Sequence, residues 1–247
     1  MKYDITVSPR TRVFSYADRF ANDVQHFSVL PDHDALTIVS RSQVVTVRSH
    51  APPAPVGVDR AMIEDDPIYG SLYDMLAPSR YVEFAPPLEK LADEVLAPDD
   101  DLAVWFVAAG AHVHDGFTYD RAATTVSTTV GEAVEARAGV CQDFAHVLCA
   151  LGRIRGIPTR YVSGYVFSGQ PGSVLGAEAS HAWSEAYLPP YGWIGYDPTN
   201  KKLINDEFVK IAVGRDYGDI TPVRGVYKGR TPGALSVNVA MEALPNQ

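Results

Sequence analysis

Cys141 is the residue of this 247-residue chain whose type and placement most suit covalent chemistry. It follows Gly139-Val140 where an apolar stripe of helical spacing begins: Val140, Phe144, Val147, Leu148, Leu151 and Ile154. At a helix start, unsatisfied backbone N–H groups and the helix dipole favour a thiolate, the nucleophilic form of cysteine. Cys149 falls mid-helix beside Leu148, Ala150 and Leu151 and reads as a small buried hydrophobe. Eight residues of helix put the two Cα atoms about 12 Å apart at 1.5 Å rise per residue. A disulfide needs less than about 7 Å, so the two do not bridge. Two free thiols point to a reducing, cytoplasmic compartment.

A thiol nucleophile needs a base. His181 heads the segment HAWSEAYL, after a small-residue loop at 176–180, and alternation puts His181, Trp183, Glu185 and Tyr187 on one strand face. Asp197 ends the following strand, in GWIGYDPTN. If the loop between the strands holds an odd number of residues, Leu188 pairs with Gly192 and Asp197 becomes the diagonal same-face neighbour of His181. The Cα atoms are then about 7–8 Å apart, a gap that an imidazole and a carboxylate can close. An even loop would put them on opposite faces. Nucleophile, base and orienter thus follow in the chain order Cys141, His181, Asp197. In that arrangement His181 takes the thiol proton and returns it to a leaving amine, while Asp197 fixes the tautomer. Each residue alone has a blander reading: a buried cysteine, a polar strand end, and an Asp-Pro-Thr-Asn turn.

For the carbonyl oxygen of a substrate, the Cys141 backbone N–H is one natural donor; Gln142, Tyr119 or another group across the cleft supplies the second. Trp183 and Trp193 flank the three residues, as cleft wall or as core. His146, five residues beyond Cys141, faces elsewhere and reads as structural. His112 and His114 point nearly opposite ways on a helix and have no partner cluster, so no metal is expected. No EF-hand loop calls for calcium, and nothing calls for another cofactor.

Several elements must position these groups. Tyr3, Ile5 and Val7 alternate, and runs at 35–40 and 43–49 suggest two strands joined at Arg41-Ser42. Proline-rich breaks at 51–57 and 85–87 bracket a stretch of weak periodicity, 61–76. The expected organisation is a small β domain over 1–79, its boundary lying somewhere in 51–80, and a catalytic domain over 80–247. Leu88, Leu91, Val95 and Leu96 form a helical stripe, and Asp99-Asp100-Asp101 open a second helix over 102–114. Residues 122–129 read as loop or short strand. Gly156 and Pro158 stop the Cys141 helix. Strands are expected at 160–167, 182–188, 193–196, 209–213 and 235–243. A helix packed on an antiparallel sheet is an α+β layout.

The net charge of −9 and the absence of a Lys/Arg cluster exclude nucleic acid as main partner. No window approaches the roughly 18 apolar residues of a membrane span, and the first residues lack a signal-peptide pattern.

The segments ARAGVCQDFAHVLCALGRIRGIPTRYVSGYV, ASHAWSEAYLP and GWIGYDPTN resemble, in order, the catalytic blocks of the bacterial transglutaminase-like superfamily. IAVGRDYGDITPVRGVYKG resembles its C-terminal block, and YADRFANDVQHFSV gives a weaker N-terminal match. The resemblance implies a papain-like α+β core with Cys141, His181 and Asp197 as its triad, and an N-terminal β module, here short. It implies action on amide bonds, by hydrolysis or by acyl transfer to an amine. Ala21 stands where the family pattern D-x-x-G-N has glycine, and Arg215, Asp216 and Tyr217 match a block that lines the cleft or braces it. The expected activity is a cysteine peptidase or amidase on a peptide or protein amide, because no feature marks a dedicated amine site. Rivals are transglutaminase-type transfer, an arylamine-type acyltransferase, and a non-catalytic peptide-binding module.

Overall fold

The computed structural model describes residues 2–46, 54–98, 100–167, 180–229 and 234–244. Asp99, residues 47–49 of the second expected strand, and most of the 176–180 loop lie outside the described residues. The chain divides into two compact units, Met1–Arg48 and Ser49–Gln247.

The first unit holds two antiparallel ladders. β1 (Lys2–Ser8), β2 (Val13–Ala17), β3 (Asp23–Phe27) and β4 (Thr37–Gln43) pair as β1 with β4 and β2 with β3. The hairpin expected at Arg41-Ser42 does not form: both residues continue β4, opposite Asp4 and Tyr3. Local turn propensity loses there to a long-range partner. The tight turn lies instead between β2 and β3, where the Asp18 carboxylate accepts the N–H groups of Phe20 and Asn22 at 2.8 and 2.9 Å. Ala21 in that turn has φ +62°, a left-handed conformation that glycine adopts without steric cost. The preference of the family pattern for glycine there has this physical reason.

The second unit begins at Ser49, and Val58 and Ile63, which precede the expected 79/80 division, are fully buried in its core. Its elements are α1 (Arg60–Glu64), a 3-10 turn at Tyr69–Met75, α2 (Pro86–Asp93), α3 (Leu102–Gly116), β5 (Thr118–Tyr119), α4 (Val130–Ala136), β6 (Ala138–Gly139), α5 (Cys141–Ile154), β7 (Thr159–Val166), β8 (His181–Leu188), β9 (Gly192–Asp197), β10 (Lys202–Leu203) and β11 (Phe208–Gly214). The last five form one antiparallel sheet in the order β10-β9-β8-β7-β11. α2 ends at Asp93, so Leu96, expected on its stripe, stands 95% exposed. Helix α4 is absent from the sequence expectations; a Thr129–Glu132 capping box starts it. Residues 235–243 form no strand.

α5 is the centre of the unit. Every residue from Gln142 to Arg153 is buried, so the helix is enclosed on all sides rather than along one stripe. The sheet covers one side through β7 and β8, and α2, α3 and α4 cover the others. Leu148 and Leu151 are 0% exposed, and full burial of each such side chain is worth roughly 1.5–3 kcal/mol. Glycines allow the close approaches. A Cβ on Gly152 would stand 2.4 Å from Cγ2 of Thr159, at the start of β7, and one on Gly110 of α3 would meet the Tyr196 ring of β9 at 2.3 Å.

Candidate active site

Three local structures place the reactive groups. The parallel bridge between β5 and β6 sets Tyr119 opposite Gly139, two residues before Cys141. Asp143 then bends the entry to α5: its carboxylate accepts the Val140 N–H at 2.8 Å and the Thr124 hydroxyl at 2.6 Å. Burial pushes the Asp143 pKa up, against the pull of those two donors. Gly139 must lack a side chain, since a Cβ there would come within 2.5 Å of the Asp143 carboxylate. Cys141 is left half-buried at the first turn of α5, with a free thiol.

β8 and β9 place the other two. Leu188 pairs with Gly192 and Ser184 with Tyr196, the odd-loop register that sets Asp197 diagonal to His181 on one face. Nε2 of His181 lies 2.8 Å from Oδ2 of Asp197, and both side chains are fully enclosed. Asp197 also accepts the N–H groups of Thr199 and Asn200, at 2.9 and 3.3 Å, and the Asn200 side-chain amide at 2.7 Å. The turn residues of Asp-Pro-Thr-Asn thus clamp the carboxylate: the turn reading and the functional reading describe the same atoms.

Nδ1 of His181 is buried and makes no close hydrogen bond among the described residues, while the Cys141 thiol acts on the ring as a hydrogen-bonding neighbour. The ring shares a cavity of about 220 Å³ with Cys141. Burial by itself lowers the His181 pKa; the Asp197 carboxylate, followed by the Cys141 thiol, overrides this and raises it from 6.5 to about 10. The imidazole is therefore held protonated at neutral pH, with Nε2 tied to Asp197 and the Cys141 thiol as the ring's other neighbour. The remaining cavity wall comes from Val126, Val140, Gln142, Tyr161, Ser163, Ser180, Ala182, Tyr217 and Pro222. Among the described residues it carries no charged side chain besides His181.

Residues 89–198 match the model of the transglutaminase-like superfamily. ML0607 of Mycobacterium leprae, an uncharacterized protein, is 31% identical over 237 residues, covering 95% of this chain and 82% of that protein. The chain belongs to the transglutaminase-like superfamily. Rv2569c of Mycobacterium tuberculosis, also uncharacterized, is 31% identical over 244 residues, covering 92% of this chain and 76% of its own. The fold is similar to that of a candidate cysteine protease from Cytophaga hutchinsonii, with a TM-score of 0.64 and 25% identity over 89% of this chain and 72% of the other. The papain-like α+β expectation holds.

Within this transglutaminase-like unit the remaining candidates fall in different places. Gln142 lines the cavity, but its side-chain amide donates to the Val126 carbonyl at 3.4 Å. Tyr119 feels the Cys141 charge, yet its hydroxyl is engaged by Arg121 and it does not line the cavity. Trp183 is 0% exposed and stands behind His181, ring centroids 6.4 Å apart, over the space that Gly164 leaves open. It lines a different cavity, with Glu185, Trp193, Phe208 and Lys210. Trp193 lies under the Arg160 guanidinium at 4.0 Å. Among the described residues no group of three metal-binding side chains occurs, and no helix is long and apolar enough to cross a membrane.

Tyr161 and Tyr217 are cavity residues that the sequence expectations missed or left open. Arg215 and Asp216 brace the segment carrying Tyr217: Arg215 pairs with Asp219 at 2.8 Å, and the Asp216 carboxylate accepts the Tyr81 and Gly218 N–H groups at 2.9 and 2.8 Å. His146 backs both tyrosines. Its ring lies 4.8 Å from that of Tyr161, and its Nε2 accepts the Tyr217 N–H at 3.1 Å. Burial lowers the His146 pKa to about 3, outweighing the Asp216 charge, so this histidine stays neutral. Only the alternation of 159–166 carried any signal for Tyr161, and it did not say which face met the cysteine.

Proposed function

We propose that this chain is a cysteine-dependent enzyme that cleaves amide bonds in peptides or proteins through a thioester on Cys141. The observation carrying this reading is the imidazole of His181, with Nε2 held by Asp197 and the Cys141 thiol acting on the same ring beside a shared cavity. Membership of the superfamily and likeness to the Cytophaga candidate cysteine protease support it.

The thiolate attacks the amide carbonyl carbon, forming a C–S bond as the carbonyl π pair moves to oxygen. Collapse of that oxyanion breaks the C–N bond, and the leaving amine takes its proton from the His181 imidazolium. Water then attacks the thioester, giving a proton back to His181; collapse breaks the C–S bond and releases the carboxylic acid and the Cys141 thiolate. Asp197 keeps Nε2 occupied throughout, so that only Nδ1 exchanges protons with the reacting groups. Water is preferred over an amine as acyl acceptor because, among the described residues, the cavity wall offers no carboxylate to hold an ammonium group. A reducing cytoplasm suits an enzyme whose two cysteines are free.

Glutamine- and asparagine-containing peptides, incubated with and without a primary amine, test this reading against a Cys141→Ala control. The expected result is Cys141-dependent hydrolysis that added amine does not accelerate. Absence of any Cys141-dependent product across a broad amide and peptide panel would overturn the proposal.

A further inference from the structure

Tyr161 is 3% exposed and sits on β7, one of the two sheet strands against α5. Its hydroxyl makes no hydrogen bond among the described residues, and it is not among the polar atoms sealed inside the protein. The open space it borders is the cavity of Cys141 and His181. Its ring is held by His146, which is itself locked by the Tyr217 N–H and by stacking on Tyr81 at 5.8 Å. A buried, oriented donor with no acceptor among the described residues, bordering a nucleophile's cavity, is a preorganised site for developing negative charge.

We infer that the Tyr161 phenol is the second oxyanion donor, acting with the Cys141 backbone N–H on the carbonyl oxygen of the substrate. The N–H is available because the first residues of a helix have no intrahelical acceptor. Burial, and then the Cys141 charge, hold the phenol pKa well above 10, so the group keeps its proton and donates without transferring it. The other candidates are less suited: the Gln142 amide and the Tyr119 hydroxyl are engaged elsewhere, and Tyr217 is only half-buried where Tyr161 is buried. The inference rests on the proposed acyl chemistry at Cys141.

Two reactions of the same sulfur separate the claims. Acetylation by p-nitrophenyl acetate passes through an oxyanion: the C–S bond forms, the π pair moves to oxygen, and p-nitrophenolate leaves. Alkylation by iodoacetamide displaces iodide at a saturated carbon and develops no oxyanion. Tyr161→Phe should slow acetylation on the order of a hundredfold, the cost of losing one such donor, while the rate of Cys141 alkylation, followed by mass spectrometry, stays at the wild-type value. The loss should exceed that in Tyr217→Phe and in Ser163→Ala. An acetylation rate equal to wild type, or a loss no greater than in those two variants, overturns the inference and leaves the proposed function standing. A wild-type Cys141 that neither alkylates nor acetylates overturns both. If Tyr161→Phe loses alkylation as well, 3,5-difluorotyrosine at position 161 keeps the ring and lowers the phenol pKa. The alkaline loss of acetylation then moves to lower pH, and an unmoved limb overturns the inference.

Discussion

Nε2 of His181 and Oδ2 of Asp197 lie 2.8 Å apart with neither side chain exposed to solvent, and three further donors from Thr199 and Asn200 hold the carboxylate in place. The carboxylate thus has a fixed direction, and the imidazole has one nitrogen committed to it. Replacing Asp197 by Asn keeps the shape but removes the charge. Turnover should fall on the order of 10³–10⁴-fold, the scale of loss when the orienting carboxylate of such a triad is neutralised. Alongside kcat, an NMR titration of the His181 ring should find its pKa well below the wild-type value. A variant retaining both would separate Asp197 from the chemistry.

The same pair makes stability depend on pH, with a definite sign. The His181 pKa is raised in the folded protein, from 6.5 to about 10. Folding therefore favours the protonated ring, and this stabilisation is fully present below about pH 6.5, the unfolded-state value. It declines as pH rises and is lost through about pH 10. Urea midpoints at pH 6, 8 and 10 should fall more steeply in wild type than in His181→Gln; parallel slopes would contradict the raised pKa.

The two cysteines should differ in reactivity. Cys149 is 0% exposed, its sulfur lies 3.0 Å from the Ser184 hydroxyl, and burial raises its pKa. Cys141 is half-buried and opens onto the cavity. Brief iodoacetamide treatment of the native protein followed by peptide mass mapping should label Cys141 with Cys149 untouched. Equal labelling would mean that α5 opens readily or that Cys141 is not activated.

Packing of α5 against β7 gives a stability test independent of chemistry. Gly152→Ala puts a methyl group 2.4 Å from Cγ2 of Thr159, and overpacking of this kind costs roughly 1–3 kcal/mol. The Thr159 hydroxyl donates to the Cys149 carbonyl at 2.8 Å. Thr159→Ser keeps that bond and removes the clashing methyl, so the double variant should recover much of the loss in thermal or urea denaturation. No recovery would place the strain elsewhere.

Much of the site was legible in the sequence because it depends on short-range rules. Cys141 begins a helix because the apolar period begins there, Gly156 and Pro158 end that helix, and the parity of the 189–191 loop decides whether His181 and Asp197 share a face. The first-unit strands were less legible. Arg41-Ser42 has turn-compatible residues, yet β1 supplies a ladder partner some forty residues away, and pairing of that range leaves no local trace. α4 is only seven residues long, too short for periodicity to announce it.

The sequence by itself determined which groups are the candidates for reactive chemistry, their order, and the local turns and helix starts that aim them. Only the tertiary structure decided what surrounds them. Burial on every side of α5, the retreat of Trp183 behind His181, and the presence of Tyr161 in the cysteine's cavity are set by how helices stack on the sheet. Sequence spacing repeats every 2 or 3.6 residues and says which residues share a face, whereas the identity of the opposing surface is fixed by contacts between segments far apart in the chain.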